Sequence, residues 1–325
     1  MKKALICGVS GQDGAYLAKL LINKGYRVYG SSRDAQANTF SRLQNLGIRE
    51  KVTFTSITPT DFRSVLQALM KIEPDEVYNL AGQSSVGFSF EQPVETMESI
   101  TFGTLNLLEA IRFIERPIRL YNAGSSECFG NTNGTSANEA TPLKPRSPYA
   151  VAKAAAYWEV VNYREAYHLY ACSGILFNHE SPLRSERFVT KKIVCAACRI
   201  ASGSDEKLHL GNIDIRRDWG WAPEYVKAMW LMLQQERAED FVIATGQSNS
   251  LKDFVEIAFE CVGLDWRKYV VVDPGLLRPT DIWESRGDNS KAKELLGWRP
   301  ESFMADVVKL MMATDLLMFK EELNG

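Results

Sequence analysis

Histidine is scarce in this chain. Its 325 residues include only 3, His168, His179 and His209, and none stands at a spacing that ligates a metal ion with another. No metal site is expected. The 6 cysteines (Cys7, Cys128, Cys172, Cys195, Cys198 and Cys261) lack any framework spacing. The single CxxC, Cys195 to Cys198, lies in a stretch without Gly, Pro or aromatic residues from Ile193 to Ile200 and reads as inert thiols in mid-helix. The net charge is only −2, and the basic residues are scattered rather than gathered into a phosphate-tracking stripe, which excludes a nucleic-acid partner. No apolar run reaches the length needed to span a bilayer. The opening MKKALICG has the charged start of a signal peptide, but glycines and Gln12-Asp13 interrupt it before an apolar stretch develops. A cytoplasmic protein with reduced thiols and no membrane partner is expected. Repeats, low-complexity tracts and flexible linkers are also missing, and only the tail from Lys320 onward reads as frayed.

The chain does have 45% apolar and 24% charged residues, the ordinary balance of a globular protein, and a rhythm. The run KALIC at 3–7 precedes a glycine-rich turn, and Tyr16, Leu17, Leu20 and Leu21 then recur at helical spacing up to Gly25. The spacing predicts strands at 27–31, 52–55, 76–80 and 118–123, helices at 61–72 and about 94–114, a helix through Tyr149 and Lys153 to about 167, and a strand from Ala171 to Phe177. Strands alternating with helices predict an α/β fold, a doubly wound, parallel, Rossmann-type sheet covered on both faces. Beyond Asn178, Pro182, Gly203, Gly211, Pro223, Gly246, Pro274 and Pro279 cut the chain into shorter pieces. Residues 1–177 are thus expected to be mainly the dinucleotide-binding domain with the Tyr149 helix. Residues 178–325 are expected to be mainly a smaller C-terminal substrate lobe, with the chain free to cross back between the two.

Gly8-Val9-Ser10-Gly11-Gln12-Asp13-Gly14 lies between a strand and a helix. There the first glycine permits a tight turn, the second lets backbone amides approach a pyrophosphate, and the third allows close helix–strand packing. This predicts a bound dinucleotide. The second strand ends Ser31-Ser32-Arg33, groups that can hold a 2′-phosphate, and NADP is the expected cofactor. Asp34 follows and is the NAD-type acid if the strand ends a few residues later. After the fourth strand, Asn79-Leu80-Ala81-Gly82-Gln83-Ser84 is small enough for the chain to pass close to the cofactor.

Tyr149 and Lys153, four apart, share a helix face behind the entry signal Ser147-Pro148. A free tyrosine is barely ionised at neutral pH, and a neighbouring ammonium together with a nicotinamide cation would favour the phenolate and make Tyr149 a base. Ser125 lies at the carboxyl edge of the fifth strand, where ligands bind in such sheets, and can hydrogen-bond the oxygen that Tyr149 deprotonates. Glu127 adds a second proton function. Oxidising a sugar C4 hydroxyl acidifies the C5 proton; Glu127 takes it, water leaves from C6, and hydride returns to C6 without net redox.

At these residues the chain resembles the GDP-mannose 4,6-dehydratases of the extended short-chain dehydrogenase/reductase superfamily. The matching strings are GVSGQDGAYL, GSSECFG, PRSPYAVAK, GILFNHESPLR, RDWGWAPEYVKAMWLMLQ and RPTD. The resemblance implies Ser125, Glu127, Tyr149 and Lys153 as catalytic residues of a nucleotide-sugar lyase. It implies cofactor contacts from Gly8, Ser10, Gly11, Gln12, Asp13, Gly14, Arg33, Leu80, Ala81, Gln83, Ser84, Tyr149, Lys153, His179 and Arg184. For GDP-mannose or a related GDP-sugar it implies Ser84, Ser85, Ser125, Glu127, Asn178, Lys192, Gly211, Asn212, Arg217, Arg278 and Asp281. It also implies a tightly held, recycled NADP and a homo-oligomer, dimer or tetramer, in deoxysugar biosynthesis. Ser125 stands where the family commonly has threonine, Cys128-Phe129 where it has Leu-Tyr, and Asp281 where it often has glutamate. Ser56 to Pro59 lacks the Asp-Leu that reads adenine, and Arg33-Asp34 replaces an Arg-Arg-Ser stretch. Two other activities fit the fold: a nucleotide-sugar reductase or epimerase, which has no need of Glu127, and a dehydratase of another GDP-sugar such as a GDP-heptose. A non-enzymatic dinucleotide sensor would have no use for both Tyr149 and Lys153.

Overall fold

The computed structural model describes residues 1–324, with side chains described through Phe319. The apolar run at the N-terminus forms β1 (Lys3–Cys7), whose residues Ala4 to Cys7 are all buried. A strand apolar on both faces belongs inside a parallel sheet covered by helices on each side. β2 (Arg27–Ser32), β3 (Val52–Ser56), β4 (Glu76–Asn79), β5 (Arg119–Ser125) and β6 (Ala171–Leu176) follow in the expected places. The sheet has 7 strands in the order seventh, β6, β5, β4, β1, β2, β3, and every pairing is parallel. The winding reverses between β1 and β4, and that reversal opens a crevice at the carboxyl ends of the strands. Cys7 pairs with Ser31 on one side and Asn79 on the other, so three strand ends meet there.

Helices cover both faces. Leu17 and Leu21 of the helix Gln12–Asn23 share one core with Val226 and Met229 of the helix Ala222–Met232. Val65 and Leu69 of Phe62–Ile72, Leu108 and Ile111 of Gly103–Ile114, and Val160 and Tyr163 of Pro148–Tyr167 share the opposite one.

Three features differ from the pattern read in the sequence. β5 runs two residues past its expected end, so Ser125 is part of the strand. The expected helix at 94–114 is present and continuous but not uniform: Pro93 opens it after Gln92 leaves helical geometry, and a π-turn at Glu98–Phe102 lies between Pro93–Met97 and Gly103–Ile114. In that turn the Thr101 hydroxyl donates to the Ala152 carbonyl at 3.2 Å, a tertiary contact that helical periodicity does not reveal. Finally, the seventh strand, Phe241–Ile243, pairs with β6 from within the region assigned to the second lobe. Residues 222–243 therefore cross back to the sheet. Ala292, Leu296 and Trp298 also pack into the core shared by Leu17 and Val226, whereas Val194, Ala197, Trp219, Phe254, Phe259, Val308 and Met311 form a separate core of the second lobe.

Cys195 and Cys198 lie in the helix Val189–Ala201 as free, buried thiols. Burial pushes them up to about 11 and about 12, so both stay protonated. The expected fraying from Lys320 concerns side chains outside the described residues.

Candidate active site

The turn after β1 is shaped by close approach. Gly8 has φ +85°, and a Cβ there would stand 2.8 Å from the Leu80 carbonyl oxygen. A Cβ on Gly14 would stand 2.4 Å from the Gly8 carbonyl oxygen and 2.6 Å from the Val9 Cα. Only glycine lets the helix start this close to the strand. No side chain caps the helix at Gly11, so its first-turn amides have no side-chain acceptor and are free to meet an anion. The expected dinucleotide fits this turn.

Asp13, on the first turn, is engaged by the protein itself. Its Oδ2 lies 2.8 Å from His179 Nε2 and its Oδ1 accepts from Gln12 Nε2 at 2.9 Å. His179 Nδ1 faces the Phe177 carbonyl at 2.7 Å, so both ring nitrogens face pure acceptors and both carry protons. Burial alone would lower the His179 pKa, but Asp13 and the Phe177 carbonyl outweigh it and raise it. Burial alone would raise Asp13, but the His179 imidazolium, Gln12 and Arg184 hold it below the ordinary carboxylate range.

At the end of β2, the Ser32 hydroxyl is buried without a partner. Arg33 is 81% exposed, 3.8 Å from Glu95. Asp34 turns back on its own chain, Oδ1 accepting from the amides of Gln36 and Ala37.

Ser125, at the tip of β5, accepts from the Glu127 amide at 3.3 Å and caps the one-turn helix Ser126–Phe129. Across from it, Ser147 accepts from the Ala150 amide and Pro148 takes the first helical position, which starts the helix so that Tyr149 and Lys153 face β5. Lys153 Nζ donates to the Ala123 carbonyl at 2.7 Å and lies 5.9 Å from the centre of the Tyr149 ring. Burial lowers Lys153 to about 8. Burial also raises Tyr149 well above its ordinary value, against the pull of the Ser125 hydroxyl and Arg184. The protein groups alone therefore do not produce the lowered phenol expected from the Tyr-x-x-x-Lys spacing. Burial raises Glu127 as well, with Arg217 and Arg278 opposing.

These side chains share one cavity of about 450 Å³ between the strand ends and the second lobe. Ser125, Glu127, Tyr149 and Lys153 line it, as do Asp13, Leu80, Ala81, Gln83, Ser84, His179 and Arg184. So does every residue expected at the substrate: Ser84, Ser85, Asn178, Lys192, Gly211, Asn212, Arg217, Arg278 and Asp281. Gly8, Ser10, Gly11, Gln12, Gly14 and Arg33 do not form its wall; the glycine turn lies behind Asp13, and Arg33 points to solvent. Arg217 is almost completely buried, and its Nη atoms donate to Asp281 Oδ1 at 2.9 Å and the Ile282 carbonyl at 2.7 Å. Arg278 Nη1 lies 3.7 Å from the same Asp281 oxygen, so that carboxylate sits between two guanidinium groups. Lys192 Nζ donates to the His209 carbonyl at 2.7 Å. Arg187, His209, Leu276 and Leu277 also line the cavity and were missed, because residues in loops and in strands or turns of three residues carry no periodic signal.

The sequence model of one family, described as GDP-mannose 4,6 dehydratase, matches residues 5–311. GDP-mannose 4,6 dehydratase 1 of Arabidopsis thaliana is 48% identical over 99% of this chain and 91% of its own. Among solved structures, UDP-glucose 4-epimerase of Thermus thermophilus in complex with NAD superposes with a TM-score of 0.84 at 25% identity, covering 97% of this chain and 99% of that one. RMD of Pseudomonas aeruginosa complexed with NADPH superposes with a TM-score of 0.79 at 22% identity, covering 98% of each chain.

Proposed function

The chain belongs to the GDP-mannose 4,6-dehydratase family, and from that membership we propose how its own residues carry the reaction. The enzyme is a nucleotide-sugar hydro-lyase. It converts GDP-mannose to GDP-4-keto-6-deoxymannose with loss of one water across C5 and C6. A nicotinamide dinucleotide, when bound, supplies hydride exchange with the sugar and is left unchanged after each cycle.

Tyr149 takes the proton of the C4 hydroxyl, and Ser125 hydrogen-bonds the same oxygen. Lys153, anchored on the Ala123 carbonyl, holds a positive charge beneath the phenol. Glu127 removes the C5 proton and delivers a proton to the departing C6 hydroxyl. A carboxyl raised by burial suits a group that must both accept and return a proton. The observation that carries this reading is that Glu127 lines the same cavity as Ser125, Tyr149 and Lys153. Asn178, Lys192, Arg217 and Arg278 are assigned to the guanosine diphosphate, whose charge calls for guanidinium and amide donors.

NADP is the assigned cofactor. The unpartnered Ser32 hydroxyl and the loosely held Arg33 guanidinium favour a 2′-phosphate, while Asp34 is occupied with its own turn. The protein is assigned as a cytoplasmic homo-oligomer. Phe102 and Phe113 fall three helical turns apart, and Val151 and Trp158 two turns apart, on neighbouring helices, and all four are exposed. Apolar groups so aligned suit a face covered by another copy.

The test is incubation of the purified protein with GDP-mannose and no added cofactor. Loss of one water by mass spectrometry without net NADPH is the expected result. An unchanged sugar nucleotide, with NADP and NADPH supplied in turn, would remove the assignment. Mass spectrometry of the nucleotide released on denaturation decides between NADP and NAD.

A further inference from the structure

Three arginines gather beside the glycine turn. Arg42, half-buried on the short helix Ser41–Asn45, donates Nε to the Leu183 carbonyl at 2.6 Å and Nη1 to the Ser10 carbonyl at 3.0 Å. It therefore bridges the turn after β1 and the segment that carries Arg184 and Arg187. Both of those line the cavity, and their guanidinium groups lie 3.7 and 5.0 Å from the ring centre of Phe188 between them. Arg187 Nη2 reaches across to donate to the Ser84 hydroxyl at 3.0 Å.

Among the described residues these three cations have one carboxylate partner, Glu180, whose Oε2 lies 3.1 Å from Arg184 Nε and also accepts from Thr190. Arg42 and Arg187 have none within ion-pair distance. Burial and then the charges of Arg187 and Arg184 make it harder for Arg42 to keep its proton. Like charges held together by backbone carbonyls and an aromatic ring, at the mouth of a cavity, are stabilised by a bound anion.

We propose that Arg187, aligned by Arg42, joins Arg184, the cofactor contact already expected, as a clamp on the diphosphate of the nicotinamide dinucleotide and holds it between turnovers. Arg187 exchanges its neutral partner Ser84 for a phosphate oxygen, while Arg42 acts as a positioning residue through Ser10 and Leu183. The assignment to the dinucleotide rather than the sugar nucleotide rests on the direct tie from Arg42 to the glycine turn. It also rests on the dinucleotide-dependent reading above.

The test measures binding rather than turnover. NADPH and NADH are titrated by their fluorescence, and GDP by calorimetry, into the full-length protein freed of nucleotide and into Arg187→Gln. The exposed position of Arg187 spares the fold. Both reduced dinucleotides are expected to bind about tenfold more weakly in Arg187→Gln, with GDP unchanged and the difference shrinking in high salt. Loss confined to NADPH would overturn the proposal, since Arg187 would then read the 2′-phosphate, which NADH lacks. Loss confined to GDP, or no loss, would overturn it as well. Wild-type protein that binds neither dinucleotide would instead remove the underlying reading. Arg42→Lys keeps the charge but cannot bridge two carbonyls. Weaker dinucleotide binding at an unchanged thermal midpoint is expected, and wild-type affinity would remove Arg42 from the clamp.

Discussion

Asp13→Asn isolates the charge that holds His179. In the native protein the buried imidazolium donates to the Phe177 carbonyl and to Asp13. Asparagine keeps a hydrogen bond, because a neutral His179 can retain Nδ1–H toward Phe177 and accept the amide of residue 13 at Nε2. What it removes is the charge. His179 has its pKa raised by the fold, so its contribution is fully present below the unfolded value of about 6.5 and lost as pH rises through the higher folded value. Asp13 has its pKa lowered, so its contribution is present above about 3.9 and lost as pH falls through the folded value. The pair therefore stabilises most between about pH 4 and 6.5. A charged hydrogen bond of this kind contributes about 1.5–3 kcal/mol, and for a chain of this length each kcal/mol moves the thermal midpoint by about 1.5 °C. Asp13→Asn should lower the midpoint by about 2–5 °C at pH 5.5 and by much less at pH 9. Calorimetry at the two pH values checks this. An equal loss at both, or a larger one at pH 9, would show that the carboxylate does not act by holding a charged imidazole.

Glu127→Gln should lower dehydration about 10²- to 10⁴-fold while GDP binding is retained, measured by product mass and calorimetry; unchanged turnover would take Glu127 out of the mechanism. Gly14→Ala puts a methyl 2.4 Å from the Gly8 carbonyl, so the turn must shift at a cost of about 1–3 kcal/mol; the protein should purify without its dinucleotide, read from the absorbance of released nucleotide. Trp158→Glu places a charge on the exposed apolar helix face and should shift the mass in light scattering toward the monomer, with an unchanged mass counting against that face as the interface.

Some of this could be read from the chain because the relevant interactions are local. A strand, a glycine turn and an uncapped helix follow one another within Lys3 to Asn23, and each glycine is required by backbone only a few residues away, apart from the approach of Leu80 to Gly8. Ser147 and Pro148 start a helix by their own chemistry, and the four-residue step then puts Tyr149 and Lys153 on one side of it. Ser125 needed only the end of an apolar strand. The family strings extended this to the residues expected at the substrate, of which Asn178, Lys192, Arg217 and Arg278 line the same cavity.

What the residues by themselves determined was which segments become strands and helices and which side chains those segments present, since caps, turns and periodicity act over one or two turns of chain. The tertiary structure decided who meets whom. Phe241–Ile243 joins the sheet because β6 offers an open edge, a fact invisible in three apolar residues. Arg217 finds Asp281 across 64 positions and Arg187 finds Ser84 across 103, and nothing along the chain distinguishes those partners from other arginines and serines. Burial then pushed Tyr149 and Glu127 up and Lys153 down. Desolvation depends on everything packed around a group, so proton affinities emerge only when the lobes have closed over the strand ends.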